Sequence, residues 1–401
     1  MKEFEKIEVI DCHEHLSPEQ VRTSAKVDVF TLFSHYTRTD IITAGMKPQD
    51  YDRLLNPDLP LEMRWQMFEP YLDQIRFGSY ARAAFIAARE FYGAEEISRK
   101  TYQAITKAMQ AFNKPGIYKK VLRDKCNIRT ALTQAGRTDY DLDLLVPLMP
   151  LDTYAGIWSW EQVQKNAAGL GMPANSVDDY IAVMRAGVKR WKEQGAVGIK
   201  MASQPFAAPD RKEACECFER IRCQGEKNLG HINPLWTYLM NQMLDICAEA
   251  DLTVAVHSGV WGDFRQLDPT HMIPVITAHP NTRFDLYHAG IPYVREAGQM
   301  GKNFPNVWLN LCWCHIVSPS MTRSFLDEWI DMVPVNKIFA FGGDYGFPVE
   351  KVYGHLVMAR ENIARVLGRR VEDGLMTEDQ AVAVAKKWFS DNPRDAYRLG
   401  I

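Results

Sequence analysis

Apolar residues in this chain gather into short runs separated by longer amphipathic stretches. The runs IEVID (7–11), NIRTALTQ (127–134), DLLVPLMP (143–150), AVGIKM (196–201), TVAVHSG (253–259), RFDLYHAG (283–290), VWLNLCW (307–313) and KIFAFGGDY (337–345) read as eight β-strands. Several are nearly unbroken in hydrophobicity, the pattern of parallel strands covered on both faces. Between them, VDDYIAVMRAGVKRWKEQG (177–195) has apolar residues at helical spacing, an acidic first turn and a glycine just past its end. PLWTYLMNQMLDICAEADL (234–252), SPSMTRSFLDEWIDMVP and VEKVYGHLVMARENIARVLGRRVEDG read the same way, and IPYVREAGQMGKNFP holds a shorter helix. Strands alternating with helices predict an α/β fold, a (β/α)8 TIM barrel. A doubly wound open sheet would carry a glycine-rich phosphate turn after its first strand, and CHEHL is no such turn.

One stretch departs from the barrel rhythm. From residue 16 to 125 the pattern is helical throughout, in MRWQMFEPYLDQIR, SYARAAFIAAREFYG and EEISRKTYQAITKAMQAF. That is far too long for a strand-to-helix loop. It predicts a barrel built from residues 1–15 and 126–401, with 16–125 inserted after the first strand over the face where such loops emerge. The insertion is expected to be a lid, a subunit interface of a homo-oligomer, or both. TEDQAVAVAKKWFSDNPRDAYRLGI reads as a closing helix and a docked tail.

Composition narrows the setting without altering this plan. The 401 residues are 46% hydrophobic and 24% charged, which suits a globular protein. A formal net charge of −3 gives no basic footprint for nucleic acid. No apolar run approaches the roughly 18 residues of a membrane span, so no membrane association is expected. The opening MKEFEKIEVID does not resemble a secretion signal. The eight cysteines include no C-x-x-C pair, so reduced thiols and a cytoplasmic location are expected.

The chemistry lies where the strands end. In a TIM barrel, functional groups sit at the C-terminal ends of the strands. His13 and His15 end the first strand, His257 the fifth, His288 the sixth and Asp344 the eighth, while His315 lies two residues past the seventh. In an extended segment, side chains two residues apart share a face, so His13 and His15 converge. Imidazoles with a carboxylate suit zinc and its first-row neighbours. A carboxylate can also accept a proton from water and hand it to a leaving group. Asp344, in FGGDYG, has a second role open to it as the cap of the following helix. His35, His231, His271, His279 and His355 fall in loops or helices and read as structural or surface residues. Cys12, between the two strand-one histidines, reads as packing.

Further residues belong to the same face. Lys200 ends the fourth strand, and its ammonium could hold a substrate carboxylate or carbonyl, or simply reach solvent. Arg265 could bind a substrate carboxylate in a fork or pair with Asp263 or Asp268. Trp261, Trp313 and Tyr345 either wall a pocket or pack.

His-x-His after strand one, histidines on strands five and six and aspartate after strand eight together resemble the amidohydrolase superfamily of metal-dependent barrels. The resemblance is nearest to the branch with the aminocarboxymuconate-semialdehyde-decarboxylase type. The long insertion and the ending EDGLMTEDQAVAVAKKWFSDNPRDAYRL add likeness to uronate isomerases. The resemblance implies that His13, His15, His257 and Asp344 hold one divalent ion, zinc foremost, with a second ion left open. It implies that His288 polarises a substrate oxygen or orients water, and that Asp344 shuttles the proton. In binuclear members of the superfamily a strand-four lysine is carboxylated and bridges two metals, a third option for Lys200. The implied activity is hydrolysis of a small amide or lactone-type substrate, which the Lys200 and Arg265 readings make carboxylate-bearing. Alternatives on the same site are decarboxylation of a small unsaturated or aromatic acid and isomerisation of a uronate-type sugar acid.

Overall fold

In a computed structural model, which describes residues 2–225, 229–230 and 232–401, eight strands follow one another around a single sheet in chain order. They are β1 (Val9–Glu14), β2 (Ile128–Thr133), β3 (Leu145–Pro150), β4 (Gly198–Ala202), β5 (Thr253–His257), β6 (Arg283–Leu286), β7 (Val307–Asn310) and β8 (Ile338–Phe339). Neighbouring strands pair in parallel from β1 through β8. The residues after β8 complete the ring. Cys12 N–H donates to the Phe341 carbonyl, Asp344 N–H to that of His13 and His15 N–H to that of Tyr345. The expected (β/α)8 barrel is therefore the observed one.

Strand alternation sorts the side chains. Ile10, Cys12, Leu132, Leu148, Ala255, Tyr287, Cys312 and Phe339 fill the barrel interior, with Tyr397 from the chain's last turn docked into the same cluster. The opposite faces pack under helices such as Val177–Glu193, Pro234–Glu249, Val294–Asn303, Pro319–Met332 and Glu350–Glu372. Each serine, threonine or asparagine at the head of such a helix caps it, as Ser176 does by accepting from Asp179 N–H. Two departures from the expected pattern stand out. No helix separates β2 from β3, and the regular parts of β6 and β8 stop short of their apolar runs. Past those ends, His288, Ala289 and Asp344 have left-handed backbones, which break a strand ladder.

Residues 16–125 form a set of helices that includes Leu61–Ile75, Ser79–Tyr92 and Tyr102–Phe112, with a core of their own around Trp65, Phe30, Phe33 and Phe68. Their seam with the barrel runs along Glu350–Glu372. A Cβ on Gly354 would lie 2.2 Å from the Ala83 carbonyl oxygen, so only glycine permits this approach of two helices. Buried charge bolts the seam: Arg22 pairs with Glu350 at 2.7 Å, and Glu350 also accepts from the Tyr92 hydroxyl at 2.6 Å. Lys351 donates to the Thr37 hydroxyl at 2.8 Å. Among the described residues, no helix is long and apolar enough to cross a membrane.

Candidate functional site

The local build of β1 aims its histidines. Asp11 pairs with Ala131 and Glu14 with Thr133, so three steps on β1 match two on β2. That extra residue is a bulge, a device that re-aims side chains near functional sites. The His13 and His15 rings lie 5.0 Å apart and both reach one oxygen of Asp344, His13 Nε2 at 3.1 Å and His15 Nε2 at 3.3 Å. A Cβ on Gly342 would lie 2.4 Å from that of Cys312 and 3.0 Å from that of His13, so glycine lets the β8 loop come this close.

His288 enters from beyond β6 with φ 62°. Its Nδ1 lies 3.1 Å from the Cys312 carbonyl oxygen, which can only accept, so Nδ1 carries the hydrogen and Nε2 keeps its lone pair. That Nε2 stands 3.1 Å from His257 Nδ1. His13, His288 and Asp344 each offer one donor atom within 4.8 Å of the other two, and all three are buried. The grouping differs from expectation in one respect. His288, anticipated beside the ligands, stands among the central donors, whereas His257 reaches them through His288.

Charge states suit a cation. Burial drives His13 and His288 well below the usual imidazole range and His257 down to about 3. Burial also works against the charge on Asp344, yet the imidazoles of His13 and His15 outweigh it and hold this carboxyl well below the usual carboxylate range. The carboxylate and the imidazoles thus lie in one buried cluster where each group's charge is opposed by burial and favoured by its neighbours. Both oxygens of Asp344 lack a hydrogen-bond partner despite the near histidine nitrogens, as does His13 Nδ1. The contacts have the distance of hydrogen bonds without the alignment. Donors held about 2.1 Å from one ion at octahedral to tetrahedral angles stand roughly 3.0–3.4 Å apart, so the residues fit a divalent metal ion.

Around this group lie the substrate-facing candidates. Lys200 Nζ rests 4.3 Å from the centre of the Tyr287 ring, which also packs at a tilt on His13 with ring centres 4.4 Å apart. Burial lowers Lys200 to about 8, and no carboxylate pairs with it among the described residues. Access is from the His15 side, since His15 is 36% exposed and Asp344 only 1%. Trp313 is buried, donates from its indole to the Tyr80 hydroxyl at 2.8 Å, and meets Tyr345 edge-on. The insertion brings His35 and Tyr36 to this rim. Tyr36 stacks on Trp261 with ring centres 4.1 Å apart, and His35 lies against Trp313 and Tyr345.

Several expectations are revised by these positions. Of the two readings of Arg265, substrate binding is not the one observed: its side chain is 77% exposed and forks onto Asp263, the other reading, through Nε and Nη2, because the loop after β5 turns it outward. His35, read as structural or surface, belongs to the rim. Nothing in its local sequence signals this, because the insertion folds back across more than 300 residues of chain to meet Tyr345. His315 stays behind the site, its Nε2 donating to the Ala340 carbonyl, and His355 packs against Phe341 and Trp313. His279 is held between Asp245 and Asn241 on the barrel's flank. His231 lies outside the described residues.

The model of the amidohydrolase family matches residues 145–399, which include His257, His288 and Asp344 but not the β1 pair. The fluG protein of Emericella nidulans is 26% identical over 251 residues, 60% of this chain and 28% of that protein. The chain thus spans well under two thirds of the length of this curated relative. The fold superposes on uronate isomerase from Thermotoga maritima at 14% identity and a TM-score of 0.81, over 99% of this chain and 96% of that one. Glucuronate isomerase from Caulobacter crescentus superposes at 15% identity and a TM-score of 0.80, over 100% and 93%. At such identities the likeness is one of fold.

Proposed function

The chain belongs to the amidohydrolase family, and on that premise we propose that it is a metal-dependent hydrolase of a small amide or lactone-type substrate. The carrying observation is the convergence of His13, His15 and His288 on a buried carboxylate whose oxygens have no hydrogen-bond partner. His13, His15, His257 and Asp344 would hold one divalent ion, zinc foremost, with His288 beside it. Such an ion supplies positive charge that polarises a substrate oxygen and lowers the pKa of water.

The chain's own residues do the rest. Asp344, ionised and free of hydrogen-bond donors, accepts a proton from the attacking water and returns it to the departing nitrogen or oxygen as the acyl bond breaks. His288 presents Nε2 as an acceptor, because Nδ1 is committed to Cys312, and so it orients the water rather than polarising the substrate oxygen. The Lys200 ammonium, unpaired among the described residues and perched on Tyr287, receives a substrate carboxylate. Trp313 and Trp261 wall the pocket, and residues 16–125 cover it as a lid through His35 and Tyr36.

Ligand residues alone do not separate hydrolysis from decarboxylation or sugar-acid isomerisation on one site. The test is a screen of N-acyl compounds, lactones, uronates and aromatic acids with metal-reconstituted protein. Turnover of N-acyl compounds or lactones supports the hydrolase. Turnover of uronates alone would replace it with the isomerase and leave the metal site standing.

A further inference from the structure

The aspartate of the site has an uncommon backbone conformation. Asp344 has φ 59°, in the left-handed region, and three consecutive backbone amides fix it there. Gly343 N–H donates to Asp11 Oδ1 at 3.0 Å, Asp344 N–H to the His13 carbonyl at 2.7 Å, and Tyr345 N–H to Glu14 Oε2 at 2.7 Å. Asp11 Oδ1 also accepts from His13 N–H at 3.2 Å. The two amides that flank Asp344 are therefore tied by side chains of the strand that carries the histidines.

Both tethers are unusual for β1. Asp11 and Glu14 are completely buried and hydrogen-bond each other, and apart from that contact their second oxygens, Asp11 Oδ2 and Glu14 Oε1, have no partner. Buried carboxyl groups are unfavourable unless a specific interaction needs them, and an apolar strand would fold with apolar residues there. These oxygens close over Gly343: a Cβ at that position would lie 1.9 Å from Glu14 Oε1 and 3.3 Å from Asp11 Oδ2. Neither group faces the substrate side, and no step proposed above uses them.

We propose that Asp11 and Glu14 are positioning residues whose carboxyl groups clamp the Gly343–Tyr345 backbone to β1 and so hold the Asp344 carboxylate against the His13 and His15 imidazoles. The proposal rests on the reading that these groups bind a metal ion, and the test keeps the two apart. Co2+ is titrated into metal-free wild-type protein and into Asp11→Ala, Glu14→Ala, Asp11→Asn and Glu14→Gln. Affinity is read by competition with a chromophoric chelator, and ligand geometry by the visible Co2+ spectrum. Removing an outer partner of a ligand weakens metal binding by about 10–100-fold. Each alanine variant is expected to fall in that range with a shifted spectrum, while circular dichroism of the metal-free protein stays unchanged. Asn and Gln keep an acceptor for the Asp344-flanking amides, and are expected to bind within a few-fold of wild type with its spectrum.

The two alanine variants cut different tethers, so one soluble variant suffices. Wild-type affinity and spectrum in both alanine variants would overturn the clamp while leaving the metal site intact. Insolubility of both would assign the pair to folding and equally overturn it. Failure of the wild type itself to bind Co2+ would remove the metal reading and the clamp with it.

Discussion

Burial opposes the charge on Asp344 and also opposes the charge on the imidazoles that surround it. That opposition is what a bound cation resolves, and it makes single residues informative. Asp344→Asn keeps the shape but trades one acceptor oxygen for a donor. It is expected to lower turnover at least ~100-fold, the range for losing a positioned proton-transfer group, and to weaken metal retention. Steady-state kinetics beside elemental analysis reads both. Lys200→Met is expected to raise KM for carboxylate-bearing substrates by about 10–100-fold with little change in kcat, since an ion-assisted contact is worth roughly 1.5–3 kcal/mol. An unchanged KM would remove Lys200 from substrate binding. At this scale the sequence was legible where residue type and strand end coincide, as for His13, His15, His257, His288 and Asp344. It was illegible where a role comes from across the fold. His35 gains its place only when the insertion closes, whereas for Arg265 the sequence offered both a substrate carboxylate and Asp263, and only the fold chooses Asp263.

Between elements, the insertion and the helix Glu350–Glu372 meet through buried charge, and two predictions belong to that seam. Glu350 accepts from both Arg22 and Tyr92, so Glu350→Ala strands a buried guanidinium. Breaking one partner of a buried pair costs about 3–5 kcal/mol, and urea unfolding should show a loss of that size. Lys351 is pushed down to about 7 by burial. From about 7 up to its ordinary value of 10.5 the unfolded chain holds a proton that the folded chain has released, so this group's contribution to stability rises with pH across that window. Below about 7 the lysine is charged in both states and the penalty of burying it is complete. The stability difference between wild type and Lys351→Met should therefore shift toward the wild type by up to ~1.4 kcal/mol per pH unit through that window. A flat difference would show that Lys351 is charged alike in both states. Apolar runs located all eight strands, yet the bulge in β1 and the short regular parts of β6 and β8 left no mark in them. A bulge changes pairing without changing composition, and left-handed residues such as His288 and Asp344 are set by tertiary contacts. The missing helix between β2 and β3 is consistent with the loop-like residues of that stretch.

For the whole molecule, the barrel brings five side chains from four segments of a 401-residue chain to one end, with an insertion that has its own core leaning over them. The long helical stretch after β1 was visible as an interruption of the barrel rhythm, but its seat over the site depends on Gly354, Arg22 and Lys351, whose partners lie hundreds of residues away. A ligand that binds only the folded state raises stability by mass action, so adding the metal should raise the unfolding temperature of metal-free protein, and His13→Ala should not respond. The claim underneath every step is that these side chains share an ion. Elemental analysis of purified protein beside its His13→Ala variant tests it most directly. The account predicts about one equivalent of zinc or a similar divalent metal per chain in the first and a clear loss in the second. Protein that is free of metal and yet fully active would contradict it.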